Sequence, residues 1–199
     1  MGADPPSIGP PRILHDADEL IEVVARLGRE LGTRHGDGTV FVAVLRGAVP
    51  FLADLVRAVP FAVEVDFLSL SPFRPGGTRA RLAHDLTIDL AGRDVVLVED
   101  VVDTGLSLAW LLGELGRREP AGLEVCALVD KPTRRIAPVD LAAVGVVTDA
   151  SYVIGYGLDH AGRYRNLPLL AEADLAVLRE DPDAYVRWLY AVPGDRPDR

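Results

Sequence analysis

Three carboxylates, Glu99, Asp100 and Asp103, fall within five positions of this chain, and the residues after them include Thr104, Gly105 and Ser107. The run Asp94–Val98 ahead of them is valine-rich, the pattern of a strand covered on both faces. After Gly105 the period changes: Leu106, Leu108, Leu111, Leu112 and Leu115 recur as one side of a helix. A helix N-terminus carries unpaired backbone N–H groups. With a glycine to permit close approach and two hydroxyls beside it, that terminus can cradle a phosphate. Carboxylates repel phosphate, so Glu99 and Asp100 suit something attached to it, namely the vicinal hydroxyls of a sugar. Asp-Thr-Gly alone also describes an ordinary turn with Asp103 capping the helix. Two further acids directly upstream fit that plainer reading poorly. The chemistry indicated is recognition of a phosphosugar.

Such a turn needs strands and helices to position it. Leu20, Ile21, Val24, Leu27 and Leu31 predict a helix over 16–31, and residues 39–45 a buried strand ending at Arg46-Gly47. A helix over 50–59 takes Pro50 in its first turn, where a missing N–H costs nothing, and 61–71 alternate as a strand. Residues 72–86 predict a long loop rich in glycine and arginine. Beyond the helix, which is predicted to run to about Arg118, strands are predicted over 123–130 and 144–147. Residues 151–168 read as a polar, aromatic, glycine-rich loop that builds a site, flanked by short strands, and a last helix is predicted from about Pro182 to Tyr190. The alternation implies an α/β fold with a mostly parallel sheet flanked by helices, with ligands beyond the carboxyl ends of the strands. We expect one domain over 13–192, with a small hood from the first helix and residues about 150–175. Residues 1–12 and 193–199 are expected to be loose tails.

Composition narrows the function. A net charge of −9 argues against nucleic acid as the main partner. No apolar stretch is long enough to span a bilayer, and the N-terminus lacks a signal-peptide layout; MGADPPS matches a myristoylation pattern only loosely. The single cysteine, Cys126, lies in the apolar run VCALV and reads as an inert core thiol in a cytoplasmic protein. Of 21 basic residues, Lys131 alone is lysine. In a chain that otherwise uses arginine, one surviving lysine points to a site that wants a compact ammonium.

VLVEDVVDTGLSL resembles the PRPP-binding signature of type I phosphoribosyltransferases, and its Glu-Asp-x-x-Asp-Thr-Gly form most resembles the hypoxanthine-guanine branch. AVLRGAVPFLADLVRAV is similar to that family's pyrophosphate loop and helix, VDFLSLS to its next strand, LVDKP to its base-recognition strand, and YVIGYGLDHAGRYRNLP to its hood segment. The resemblance implies transfer of a phosphoribosyl group from PRPP to hypoxanthine or guanine, giving IMP or GMP and pyrophosphate with Mg2+. It further implies Asp103 as general base toward purine N7, Glu99 and Asp100 on the ribose hydroxyls, and the stretch Asp103, Thr104, Gly105, Leu106 and Ser107 around the 5-phosphate. Leu45, Arg46 and Gly47 would bind pyrophosphate, with a cis Leu45–Arg46 bond, and Arg165 would clamp it. Asp159 would hold the metal. Lys131 would donate to O6 of the purine, Tyr152 stack on it, Val153 offer backbone groups, and Val101 and Leu158 line the pocket. His160 and His84 read as surface histidines. A homodimer or homotetramer is implied.

One loop departs from the pattern. Where relatives carry Ser-Tyr over the reaction centre, this chain has Pro72-Phe73, followed by a shorter stretch with Arg74, Arg79 and Arg81. That departure keeps two alternatives open, a paralogue acting on another base and a non-catalytic sensor of PRPP or nucleotide. Retention of Asp103 and the acidic charge favour the enzyme.

Overall fold

A computed structural model describes residues 9–71 and 81–190. The chain runs β1 Arg12–His15, α1 Ala17–Gly32, β2 Thr39–Val44, α2 Val49–Ala58, β3 Val63–Leu70, β4 Leu82–His84, β5 Asp94–Val102 and α3 Leu106–Gly116. It continues through β6 Gly122–Asp130, a single 3-10 turn Pro132–Arg134, β7 Ala143–Val147, β8 Val153–Ile154, β9 Leu170–Glu172, α4 Leu175–Glu180 and α5 Val186–Leu189. Residues cluster into two compact units, 18–149 and the remainder.

The larger unit is built on a six-stranded sheet of order β4-β3-β2-β5-β6-β7. Its strands are parallel except β4, which runs antiparallel to β3. Both faces are covered, so the central strands are continuous apolar runs: Val40 to Ala43 and Val95 to Val98 are fully buried. Leu108, Leu111 and Leu115 of α3 pack with Val40, Val42, Leu97 and Val125 in one cluster. Leu20, Val24, Leu27 and Leu31 form the buried stripe of α1; Ile21, off that stripe, is 66% exposed. Helix α1, expected in a hood, clusters with this unit. Its Arg26 donates from Nη2 to the carbonyls of Val144 and Gly145 at 3.0 and 2.7 Å, which ties it to β7.

The smaller unit holds an antiparallel sheet of order β1-β9-β8 and a cluster of Ile154, Tyr164, Leu167, Ala171, Leu178, Tyr185 and Leu189. The predicted helix over 182–190 is reduced to the four residues of α5. Residues 182–185 form turns rather than helix, and extended Asp181 before Pro182 ends the helix upstream. A short helix that was not predicted, α4, lies upstream, and its N-cap Asp174 accepts from the Ala176 N–H at 2.7 Å. Strand β4 lies inside the stretch predicted as one long loop. Pro72, Phe73, Arg74 and Arg79, and the greater part of both expected tails, lie outside the described residues.

Candidate active site

Strand β5 is longer than its apolar run. It pairs with β2 only as far as Ala43 and Val98, then continues beside β6 to the pair Val102 and Asp130. Glu99 and Asp100 therefore stand on ordered strand just past the stretch paired with β2, near where the chain turns through Leu45, Arg46 and Gly47. The Leu45–Arg46 peptide is cis, as the resemblance implied. Gly47 is buried against Asp100: a Cβ there would lie 1.4 Å from Asp100 Oδ2.

The two upstream acids differ. Glu99 is only 8% exposed, and its carboxyl is pushed well above the usual range, by burial first and by the charge of Asp100 second. Asp100 is half-buried and accepts from the Val101 N–H at 2.7 Å. Asp103 does not cap the following helix. Gly105 occupies the N-cap at φ +78°, with no side-chain cap, and Leu106 and Ser107, which open α3, are exposed. Thr104 Oγ1 lies 3.5 Å from the Leu106 nitrogen, too far for more than a weak bond. A side chain at Gly105 would strike the Ala137 carbonyl at 2.6 Å. This terminus has the shape of an anion cradle.

Lys131 is 4% exposed, and its N–H donates to the Val102 carbonyl at 3.0 Å, placing it directly beside the end of β5. An idle lysine in a surface turn would be exposed. Val101 is half-buried on β5. Two residues escaped the sequence reading, Arg134 and Arg135. Arg134 Nε donates to Asp103 Oδ1 at 2.6 Å, and Arg135 Nη1 to the Asp103 carbonyl at 2.8 Å. The only sequence signal was an Arg-Arg pair just after Lys-Pro.

The remaining site candidates lie together on 152–165 of the smaller unit. Val153 and Leu158 are buried, and β8, which carries Val153, is an edge strand. Asp159 Oδ1 pairs with Arg165 Nη2 at 2.7 Å, and Oδ2 accepts from the Gly162 N–H at 2.7 Å. Arg165 also donates from Nη1 to the Gly157 carbonyl at 2.7 Å. The Tyr152 hydroxyl donates to the Asp159 carbonyl at 3.0 Å and lies 3.1 Å from His160 Nδ1. His160, read from sequence as a plain surface residue, thus touches the predicted stacking ring. Cys126 is buried and its thiol is pushed up to about 12, chiefly by burial, so it is unreactive.

A parallel sheet with acids at its carboxyl edge and an anion cradle opening the next helix defines an α/β protein that binds a phosphorylated sugar or nucleotide. The chain belongs to the phosphoribosyl transferase domain family, which it matches over residues 12–161, with the type I fold of the hypoxanthine-guanine branch. It is 39% identical over 178 residues to the hypoxanthine-guanine phosphoribosyltransferase of Mycobacterium avium, covering 84% of this chain and 88% of that protein. A crystal structure of a hypoxanthine-guanine phosphoribosyltransferase from Bacillus anthracis is similar at TM-score 0.75 and 34% identity, covering 80% of this chain and 95% of that one. A mutant of the Trypanosoma cruzi hypoxanthine phosphoribosyltransferase, solved as a ternary substrates complex, is similar at TM-score 0.79 and 29% identity, covering 83% and 96%.

Proposed function

We propose that this protein transfers the phosphoribosyl group of PRPP to a 6-oxopurine, hypoxanthine or guanine, releasing pyrophosphate and forming IMP or GMP. The observation that carries the reading is local. An uncapped helix terminus follows directly on Glu99, Asp100 and Asp103, and a buried lysine stands on the adjoining strand end.

In this reading the N–H groups from Thr104 to Ser107 bind the 5-phosphate, and Glu99 and Asp100 accept hydrogen bonds from the ribose diol. The bond from the anomeric carbon to pyrophosphate breaks, a purine nitrogen bonds to that carbon, and the electron pair leaves on pyrophosphate. Asp103 shares the proton at purine N7. Its ion pair with Arg134 is open to solvent, the side chains being 37% and 47% exposed. Pairs of that kind contribute about 0–1 kcal/mol, so substrate can displace this one. Lys131 donates to O6, and Leu45, Arg46 and Gly47 hold pyrophosphate. The family resemblance supports matching roles for Arg165, Tyr152, Val153 and Leu158.

The same resemblance implies Mg2+, which when bound neutralises charge on the leaving pyrophosphate. Among the described residues no three His, Cys, Asp or Glu side chains converge on one point. Mg2+ needs no such cluster, since it takes one or two carboxylates and fills its shell with water and substrate oxygens. Asp159 is the residue we assign to it. Both its oxygens already accept a hydrogen bond, but each keeps a lone pair.

A panel of purine bases offered with PRPP and Mg2+, read by pyrophosphate release, tests the reading. Release with hypoxanthine or guanine and little with adenine is expected. No release with any 6-oxopurine overturns it.

A further inference from the structure

Val102 and Asp130 are the last paired residues of β5 and β6. One side chain joins the segments that leave those strands. Arg135 donates from Nη1 to the Asp103 carbonyl at 2.8 Å, and from Nη2 to the Asp130 carboxylate. Unlike the surface pair of Arg134, this ion pair is largely enclosed, its side chains 16% and 14% exposed. Backbone bonds follow the same seam. The N–H groups of Ile136 and Ala137 donate to the Thr104 carbonyl at 2.9 and 3.0 Å. Arg135 Cδ lies 2.9 Å from where a Cβ on Gly105 would stand.

Asp130 directly precedes Lys131, and Asp103 directly precedes the cradle. The Arg135 bridge therefore closes the lysine loop on itself and fastens it to the peptide that opens the helix. Resting on the function proposed above, we propose that Arg135 is a positioning residue that fixes the phosphate cradle and Lys131 relative to each other. Recognition of the phosphate and recognition of the base then depend on one guanidinium. A planar fork can serve two acceptors in different directions, whereas an ammonium on a flexible stem holds neither in a set geometry.

Affinities of the full chain for IMP, inosine and AMP, measured by calorimetry, test this. The ratio of IMP to inosine affinity reads the phosphate, and the ratio of IMP to AMP reads the base. In Arg135→Lys both ratios fall together, each by roughly 10-fold, since sub-ångström misplacement of binding groups has effects of that order. Asp130→Asn, which weakens the far end of the bridge and keeps its shape, gives the same paired loss to a smaller degree, and it carries the test should Arg135→Lys not fold. Unchanged ratios in a folded variant, or a fall in one ratio alone, overturn the proposal while the functional reading stands. A parent protein with neither preference overturns both.

Discussion

Gly47 and Asp100 share one space: the carboxylate of Asp100 sits where any side chain on Gly47 would have to go. Gly47 lies in the turn after β2, and Asp100 lies on β5 beyond Val98, where its pairing with β2 stops. The contact joins the turn assigned to pyrophosphate with an acid assigned to the ribose. Gly47→Ala must move one or the other. The expected result is a folded protein with turnover lower by roughly 10- to 100-fold. Steady-state pyrophosphate release, with circular dichroism as the check on folding, measures it. Full activity in the alanine variant would show that the contact is idle.

Asp103→Asn tests the general base. Turnover should fall by roughly 10- to 1000-fold, the usual range for loss of such a group, with little change in PRPP affinity. Single-turnover kinetics separate the two. An unaltered rate moves the role away from Asp103.

Lys131→Arg keeps the charge and changes its shape. Lys131 is only 4% exposed, so a broader fork has to displace the residues around it. The affinity for guanine or hypoxanthine is expected to drop about 10-fold in competition binding, a typical loss for one displaced hydrogen bond to a charged group. Equal affinity would return the lysine to a packing role.

Glu99 links the site to pH. Its raised carboxyl makes the native chain bind more protons than the unfolded one, so its contribution to stability declines as pH rises from about 4, the ordinary glutamate range, toward the higher native value. Glu99→Gln escapes that decline. The variant should melt above the parent at neutral pH, the gap closing on acidification, and it should lose turnover because the ribose contact needs the carboxylate. Thermal unfolding across pH decides it; a gap that does not vary with pH contradicts the account.

Asp66 behaves in the opposite sense. Burial pushes its carboxyl up, but hydrogen bonds from the N–H groups of Ile88, Phe67 and Thr87 and from the Thr87 hydroxyl outweigh burial and hold it below the usual range. It therefore stabilises the fold above its unfolded value, and the contribution is lost as pH falls through the native one. Asp66→Asn should cost about 2–3 kcal/mol at neutral pH, the scale of one or two charge-assisted bonds, and less in acid. Denaturant titration at two pH values reads both numbers.

The central sheet was legible because its strands are buried on both faces and spell long apolar runs, as in Val95–Val98. The acid cluster was legible for a related reason: charges in such a run have no place in a core. The small sheet was legible only in part. Short strands flanking 151–168 are expected, and β8 and β9 lie at the two ends of that stretch, but β1 was not foreseen. β1 has four residues and β9 three, with a register break between Ile13 and His15, too short for alternation to show. The short α4 was missed for its length as well. Arg134 and Arg135 were invisible because their partner, Asp103, lies about thirty positions upstream. Spacing reveals the period of one element and says nothing of which turns meet at the edge of a sheet.

Lys131 has one further consequence, for chemical labelling. It carries the chain's only lysine amine, and that amine is shut away beside the end of β5. A reagent that acylates amines, applied in excess, would find a single side-chain target, and it could react only when the loop after β6 opens. The mass gained over time would then count the openings of one loop, with any terminal amine as an internal standard for reagent strength. A base held against the lysine would slow that clock, which makes the protein its own footprinting probe, with no tag or added cysteine.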